Sequence, residues 1–308
     1  MGNWNAECGM NTDEPPVFIP HSASCVPHSR AWHLRDRTLH IGLRPLVMGI
    51  VNVTPDSFSD GGKFLDTSTA IMRALQLASE GADILDIGGE STRPGATPVA
   101  RDDELRRVVP VVAELAKRTR VPISVDTMKA EVARACLEAG AAIINDVSGF
   151  RDPAMIEIAK EFRAGVVVMH MRGDPTTMQQ NPQYADVVAE VTSYLQERLR
   201  VLGESGIPPE AVCVDPGIGF GKAHEHNMAL LANLNAVAGL GRPVCLGVSR
   251  KGFIGVLCGR DRSARDPGSL AIACFAAARG TAHVLRVHDV PSARDAAILL
   301  EAIDQHRR

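Results

Sequence analysis

Three features of the sequence predict an α/β fold in which strands and helices alternate along one chain. Eight short segments are largely apolar, as strands are when a parallel sheet is covered on both faces. Helical patterns separate these segments, and six of the segments run directly into polar residues capable of chemistry. Reactive groups gathered at the carboxyl ends of parallel strands are typical of a (β/α)8 TIM barrel, and this is the fold we predict.

The predicted elements follow the chain in eight repeats of strand and helix. The strands are expected at 46–51, 82–87, 122–126, 142–146, 165–170, 211–215, 243–248 and 283–287. The helical patterns include Ser68–Glu80, Asp102–Arg118, Lys129–Ala139, Pro153–Glu161, Ala185–Gly203 and Ser269–Arg279. Left-handed helix caps are expected at the glycines that follow helical patterns, namely Gly81, Gly140, Gly206 and Gly280. A doubly wound open sheet is the competing fold for the same alternation.

The amino-terminal part differs from the rest of the chain. Residues 1–30 are rich in Asn, Pro, Ser and His without periodicity, which predicts a flexible extension. Trp32–Ile41 alternates around a polar centre, which predicts a short β-hairpin over the amino-terminal mouth of the barrel. No linker-like segment divides the remainder, so residues 31–308 are expected to form one barrel domain.

Composition restricts the class of protein. The chain has 308 residues, of which 45% are hydrophobic, enough for a sizeable core, and no apolar run approaches the length of a membrane span. A net charge of −3 gives no reason to expect a nucleic-acid partner. No secretory signal is visible, and four of the seven cysteines lie in apolar patterns, namely Cys136, Cys213, Cys245 and Cys274. A reduced, cytoplasmic setting is therefore expected.

Two polar loops follow the first two strands. The loop 52–62 begins at Asn52, is dense in turn formers, and also carries Phe58 and Asp60. The loop 88–95 carries Arg93, which would suit an anion. An ordinary surface turn and a solvated arginine are the simpler interpretations, but an exposed aromatic residue and an asparagine at a strand end favour a ligand site.

Three polar residues end three other strands. Asp126, Asn145 and Asp215 can exchange hydrogen bonds with a flat, amidine-rich heterocycle if they face the same mouth of the barrel. Asp and Asn are also favoured as helix N-caps, so each residue alone has an equally good structural explanation. The three together, with the loops above, favour a ligand site.

The last strand suggests an anion site. Arg286 and His288 alternate, so both side chains lie on one side of the strand, near the loops that bind phosphate in many barrels. A histidine packed in the barrel wall is the alternative. The segments 215–222 and 247–252 lack the Lys-Ser/Thr of a Walker loop, and His224-Glu225-His226 is not a metalloprotease motif. No structural zinc site or nucleophilic triad is predicted.

Taken together, these residues resemble the dihydropteroate synthase family of pterin-binding enzymes. The resemblance extends from about residue 32 to residue 305 and keeps the order of the family motifs. The matching segments are Gly49–Gly62, Asp86–Gly95, Ser124–Thr127, Ile144–Val147, Met169–Met171, Asp215–Lys222, Ser249–Lys251 and Arg286–His288.

The resemblance implies that 6-hydroxymethyl-7,8-dihydropterin pyrophosphate condenses with p-aminobenzoate to 7,8-dihydropteroate, with Mg²⁺ on the pyrophosphate. By the family pattern, the pterin would be held or lined by Asp126, Asn145, Met169, Asp215, Phe220, Gly247 and Lys251. Pyrophosphate and its Mg²⁺ would be held by Asn52, Arg286 and His288, with Asn52 the metal ligand. Ser249 and Gly252 would also bind substrate. The closing loops would contribute Phe58, Asp60, Thr92 and Arg93.

The resemblance also implies a mechanism and an assembly. Pyrophosphate would leave first, so that the arylamine attacks a cationic pterin methylene stabilised by Asp126, while the loops exclude water. The residues assigned to catalysis are Phe58, Asp60, Asp126, Lys251, Arg286 and His288. A homodimer and a target for sulfonamides are expected.

One position departs from the family pattern. A serine usually follows Ser-Arg-Lys and receives the p-aminobenzoate carboxylate, but this chain has Gly252. The backbone N–H remains for the anion, whereas the lost hydroxyl predicts weaker p-aminobenzoate binding and an altered sulfonamide response. Two other functions stay open at this point. They are a pterin-binding methyltransferase module, and a pterin-binding protein that no longer couples the amine.

Overall fold

The computed structural model describes residues 30–53, 63–93 and 95–306, and these form an α/β barrel. Its eight parallel strands are β3 (Leu46–Asn52), β4 (Ile84–Gly88), β5 (Ile123–Asp126), β6 (Ile143–Asp146), β7 (Gly165–Met169), β8 (Val212–Asp215), β9 (Cys245–Leu246) and β10 (Val284–Val287). The neighbours along the sheet run β8-β7-β6-β5-β4-β3-β10-β9. A bridge from Val214 to Val244 joins the two ends. The predicted TIM barrel is therefore confirmed, and an open sheet is excluded.

Helices follow the strands and cover the outside of the barrel. They are α1 (Lys63–Ser79), α2 (Arg101–Arg118), α3 (Ala130–Ala139), α4 (Pro153–Phe162), α5 (Val187–Glu204), α6 (His224–Ala232), α7 (Leu234–Ala238), α8 (Gly252–Cys258), α9 (Asp266–Ala278) and α10 (Val290–Asp304). All four glycines predicted as left-handed caps have positive φ, from +65° at Gly280 to +115° at Gly140.

The seventh strand is shorter than predicted. The apolar run 243–248 predicts six residues, but only Cys245–Leu246 form the ladder with β10. Pro243 has no N–H to donate, and the N–H of Val244 donates to the His283 ring at 3.0 Å instead of to a neighbouring strand. Gly247 already lines the cavity at the mouth of the barrel, where the chain turns into the next loop.

The amino-terminal hairpin has its predicted place. β1 (Arg30–His33) and β2 (Thr38–Ile41) pair antiparallel, with Trp32 opposite Leu39. Trp32 is fully buried against the first residues of the barrel strands, and its Nε1–H donates to the Ala211 carbonyl at 2.9 Å. The hairpin therefore closes the amino-terminal end. The predicted extension before Arg30 and the segment 54–62 lie outside the described residues.

Alternation along the strands divides the core into two parts. On β3, Leu46 and Met48 belong to an inner cluster, whereas Val47 and Val51 pack outward against the helices. Three buried cysteines, Cys136, Cys213 and Cys245, lie in these clusters as predicted, while Cys274 is only half-buried. Because the inner layer is apolar near the hairpin, polar inward-facing residues are confined to the opposite mouth.

Candidate active site

The inner face of the barrel changes from apolar to polar along several of the strands. On β10, Val284 is in the inner apolar cluster, and the next inward residue is Arg286. The same step of two residues leads from Ile143 to Asn145 on β6 and from Cys213 to Asp215 on β8. A period of two therefore places the predicted polar residues in one layer at the carboxyl ends of the strands.

This layer forms the floor of a cavity of about 590 Å³. Most of the predicted site residues line it, namely Asn52, Thr92, Arg93, Asp126, Phe220, Gly247, Ser249, Lys251, Gly252, Arg286 and His288. The cavity is thus built from the ends of β3, β5 and β10 together with the loops after β4, β8 and β9. One concave site that combines apolar walls with a few converging polar groups is typical of a small-molecule site.

Arg286 is the centre of the polar floor. Its Nε donates to Asp86 Oδ2 at 2.6 Å, and its Nη2 donates to Asp126 Oδ2 at 2.6 Å. Asn145 Nδ2 also donates to Asp86 Oδ2, at 3.1 Å. The two carboxylates raise the pKa of Arg286 although burial acts in the opposite direction. Arg286 therefore stays charged where it meets the cavity.

Asp126 is a carboxyl group with an unusual proton affinity. Burial, opposed by Arg286 and assisted by the negative charge of Asp86, raises its pKa to about 7. Its Oδ1 is buried and has no hydrogen-bond partner among the residues that the structure describes. An acceptor of this kind at a cavity floor is available to a ligand N–H.

Lys251 and Phe220 form the opposite wall. The Lys251 ammonium lies 4.0 Å from the centroid of the Phe220 ring, a cation–π contact. Burial lowers the pKa of Lys251 to about 8, opposed by the charge of Asp215 and assisted by that of Arg286. A flat ring could stack here beside a hydrogen-bond donor.

Hydrogen bonds from buried residues fix the turn that carries Phe220. Asp215 Oδ1 accepts from the N–H of Gly217 at 2.7 Å, and Gly217 has a φ of +66° with no room for a side chain against the His170 carbonyl. The buried Lys222 donates to the Gly217 carbonyl at 2.9 Å and the Phe220 carbonyl at 3.0 Å. These contacts fix the position of the Phe220 ring.

The surroundings of His288 favour the neutral form of its imidazole. Burial and then the charges of Arg250 and Arg286 lower its pKa to about 3. Its Nδ1 lies 2.8 Å from Ser249 Oγ, which also accepts the backbone N–H of His288 at 3.2 Å. If the Ser249 hydroxyl donates to Nδ1, the imidazole keeps its proton on Nε2 as a hydrogen-bond donor.

The loop after β4 is fixed at its root by a buried ion-pair cluster. Lys129 Nζ lies 2.6 Å from both Glu90 Oε2 and Glu104 Oε2. Glu90 Oε1 also accepts the N–H of Val99 at 2.8 Å. Thr92 and Arg93 follow directly and reach the cavity from this anchored loop.

The outer rim of the cavity is open and cationic. A side chain added at Gly252 would meet no atom within 4 Å. Arg262 and Arg265 line the same rim. Arg265 donates to the Arg250 carbonyl at 3.3 Å. Partial burial, together with the charges of Arg250 and Arg265, lowers the pKa of Arg262. This rim is suited to a carboxylate.

Comparison with known proteins identifies the family. The family model described as "Pterin binding enzyme" matches residues 48–288. Dihydropteroate synthase of Escherichia coli (strain K12) is 48% identical over 258 residues, which cover 84% of this chain and 91% of that protein. The chain belongs to the dihydropteroate synthase family.

Solved structures of this family have the same fold. The structure of Xanthomonas albilineans dihydropteroate synthase with 4-aminobenzoic acid has a TM-score of 0.85 and 48% identity, covering 91% of this chain and all of that chain. The structure of the Xanthomonas enzyme in complex with 7,8-dihydropteroate has a TM-score of 0.81 and 45% identity, covering 90% of this chain and all of that chain. Fold and family therefore agree with the sequence-based expectation.

Three predicted ligand residues of the dihydropteroate synthase pattern lie beside the cavity rather than in its lining. They are Asn145, the residue before the last of β6, and Met169 and Asp215, which end β7 and β8. Asn145 is turned to Asp86, and Met169 packs in a cluster with Phe220. Phe58 and Asp60, predicted from the first loop, lie outside the described residues.

Sequence reasoning left several polar residues out of the candidate site, among them Asp86, Lys222 and the rim residues Arg262 and Arg265. Asp86 stands two residues before the end of β4, inside an apolar strand, so its inward direction was the available signal. Lys222 lies in a glycine-rich turn and is only 2% exposed. A buried lysine held mainly by carbonyl groups has no recognisable spacing in sequence.

Proposed function

We propose that this chain is a dihydropteroate synthase. It condenses 6-hydroxymethyl-7,8-dihydropterin pyrophosphate with p-aminobenzoate to 7,8-dihydropteroate and pyrophosphate, as an alkyl-group transferase of folate biosynthesis. The observation that carries this proposal is a cavity in which a buried acceptor, Asp126, and an aromatic wall, Phe220, adjoin the cations Lys251 and Arg286. The resemblance of the whole chain to named synthases supports the same reaction.

The pterin belongs at the floor of the cavity. Asp126 Oδ1 accepts a ring N–H, and Asp215 and Asn145 supply further hydrogen bonds from the adjacent strand ends. Phe220 stacks on the ring, while Lys251 donates to a ring nitrogen or oxygen. Gly247 completes the wall at this end, and Met169 packs beside Phe220. The chemical match is between a planar, nitrogen-rich ring and a flat slot with both donors and acceptors.

The leaving group belongs beside the last strand. Arg286 and the Nε2–H of His288 donate to the pyrophosphate, and Ser249 keeps the imidazole oriented. When the C–O bond of the pterin methylene breaks, its electron pair leaves with the pyrophosphate. The negative charge of ionised Asp126 stabilises the positive charge that remains on the pterin.

Magnesium fits this arrangement as a part of the pyrophosphate substrate. Among the described residues, no group of three His, Cys, Asp or Glu side chains could hold a metal ion. Mg²⁺ commonly keeps several waters and takes substrate phosphate oxygens in place of a full set of protein ligands. Asn52 ends β3 at the cavity and would supply one amide oxygen. When bound, the ion would neutralise charge on the leaving group.

The amine enters at the open rim. Its carboxylate lies near the backbone N–H of Gly252 and the positive charge of Arg262, and its nitrogen attacks the cationic methylene to form the C–N bond. The nitrogen then loses a proton, so no strong general base is required. Thr92 and Arg93, with Phe58 and Asp60 of the first loop, exclude water that would otherwise capture the cation.

The test is formation of dihydropteroate by the purified protein. The assay contains the pterin pyrophosphate, Mg²⁺ and a titration of p-aminobenzoate. Saturable product that depends on p-aminobenzoate is expected. Binding of the pterin substrate with no product at any amine concentration would contradict the proposal. It would favour a pterin-binding protein or a methyltransferase module.

We also propose that the chain forms a homodimer in the cytoplasm. Apolar side chains on α9 and α10 are exposed, with Phe275 47%, Leu299 62% and Ile303 63% accessible. None of the described helices is long and apolar enough to cross a membrane. If a second copy covers this face, light scattering should give the mass of a dimer for the wild-type protein. The double variant Leu299→Asp, Ile303→Asp should give the mass of a monomer. A wild-type monomer at micromolar concentration would contradict it.

A further inference from the structure

Asp86 is a fully buried carboxylate that the proposed reaction does not use. It faces the barrel interior from the middle of β4, and it does not line the cavity. A substrate in the cavity therefore meets other residues first. Any influence of Asp86 on the reaction has to pass through the side chains that it contacts.

The contacts of Asp86 lead to Arg286. Its Oδ2 accepts from Arg286 Nε at 2.6 Å, an ion pair that spans from β4 across β3 to β10. The same oxygen accepts from Asn145 at 3.1 Å. Its Oδ1 is buried and has no hydrogen-bond partner in the described part of the chain. A buried carboxylate that leaves one oxygen unpaired is costly, so a specific role is expected of it.

Arg286 is shared between two carboxylates of different accessibility. Its second bond, at 2.6 Å, goes to Asp126, which lines the cavity and has a vacant acceptor oxygen. A ligand N–H on Asp126 Oδ1 draws on the charge of the same carboxylate and so weakens the bond from Arg286 to Oδ2. Asp86 lies out of the ligand's reach, so its bond to Arg286 persists when the bond to Asp126 is weakened.

We propose that Asp86 is a positioning residue, which holds the Arg286 guanidinium at the leaving-group site while the pterin substrate binds Asp126. This inference rests on the proposed function, because it assumes that the pterin binds Asp126 and that Arg286 meets the pyrophosphate. Without Asp86, Arg286 would have Asp126 as its only carboxylate partner among the described residues, and substrate binding would release the guanidinium.

The test compares Asp86→Asn with the control Asp146→Asn in steady-state assays. Asp146 is equally buried, at the end of β6, but within the described residues its carboxylate accepts hydrogen bonds only from Ser148 and Phe150 in its own turn. Asp86→Asn should lower kcat at least tenfold with KM for p-aminobenzoate changed less than twofold. It should also move the acid limb of the pH profile to lower pH, more than Asp146→Asn does. Unchanged kcat would overturn the inference.

A double-mutant cycle separates positioning from a general loss of structure. If Asp86 acts through Arg286, adding Asp86→Asn to Arg286→Gln should change kcat less than twofold. An equal loss in both backgrounds would overturn the inference. If Asp86→Asn does not fold, Arg286→Lys replaces it, since an ammonium cannot bridge both carboxylates as a guanidinium does. The same kcat loss is expected there, and wild-type kcat would overturn the inference.

Failure of the proposed function would be recognised separately. It is indicated if the wild-type protein forms no dihydropteroate. The inference is then decided by calorimetric binding of inorganic pyrophosphate to protein saturated with 6-hydroxymethyl-7,8-dihydropterin, which occupies Asp126 without turnover. Asp86→Asn should weaken that binding at least threefold while Asp146→Asn leaves it unchanged. Equal pyrophosphate affinity in wild type and Asp86→Asn would overturn the inference.

Discussion

The two ends of the cavity are built in different ways. At the floor, buried strand ends carry groups such as Asp126 and Arg286, joined by bonds of 2.6 Å. At the rim, Gly252 lies on a short helix and Arg262 on the turn after it, and both residues are exposed. A side chain added at Gly252 would have open space. The floor is a connected network in a low dielectric, whereas the rim is a solvated surface of positive charge.

This difference predicts how each end responds to mutation. Groups in the floor share partners, so a single change there alters several pKa values and contacts at once. Groups at the rim act singly and are screened by water and salt. Changes at the floor should therefore impair use of the pterin strongly, and changes at the rim should tune the affinity for the amine.

Asp126→Asn should have the largest effect. The amide keeps the shape but loses the charge that accepts a ligand N–H and stabilises a cationic pterin. A hydrogen bond to a charged group contributes about 1.5–3 kcal/mol, so kcat/KM for the pterin substrate should fall roughly 10- to 150-fold. Steady-state kinetics with the pterin substrate varied at saturating p-aminobenzoate will measure this. A loss below threefold would contradict the role given to the floor.

The pH dependence of the reaction should report the titration of two groups at the floor, Asp126 and Lys251. Asp126 has a pKa raised to about 7, so its ionised form is lost as the pH falls below that value. Lys251 has a pKa lowered to about 8, so its charge is lost as the pH rises above that value. A narrow bell is expected for kcat/KM of the pterin substrate, with about a tenfold loss per pH unit outside it.

Two variants test the assignment of the limbs. Asp126→Asn should abolish the acid limb in its residual activity, and Lys251→Arg should move the basic limb beyond the measured range. His288 has a pKa near 3 and should contribute no limb between pH 5 and 9. An acid limb that survives in Asp126→Asn would assign the titration to another group.

The same contrast explains how much could be predicted from the sequence. Strand order, the hairpin and most cavity residues followed from apolar runs ending in polar residues, because the period of two fixes the direction of Asp126 and Arg286. Asp86 was not included, since its value depends on a partner two strands away in the sheet. The short seventh strand was missed because Gly247 reads as part of an apolar run. Both features depend on contacts between residues far apart in the chain, which a local sequence pattern does not reveal.

Gly252→Ser should sharpen the comparison at the rim. The new hydroxyl has space and would donate to the amine's carboxylate, worth up to about 1.5 kcal/mol once water is displaced. KM for p-aminobenzoate should fall up to about tenfold, sulfonamide inhibition should change with it, and KM for the pterin substrate should not. Gly42→Ser is the matched control, since Gly42 is also exposed with no atom near an added side chain. Equal amine KM in both variants would contradict the prediction.

Arg262→Gln should have the smallest effect. An exposed ion pair contributes about 0.2–1 kcal/mol, so loss of this charge should raise KM for p-aminobenzoate about 1.4- to 5-fold at low salt and less at 0.5 M salt, since roughly a 4 Å screening length then applies. Arg260→Gln is the control, because Arg260 is exposed on the same turn but does not line the cavity. An effect that does not depend on salt would mean that Arg262 acts through packing. The rim would then consist of interdependent contacts, as the floor does.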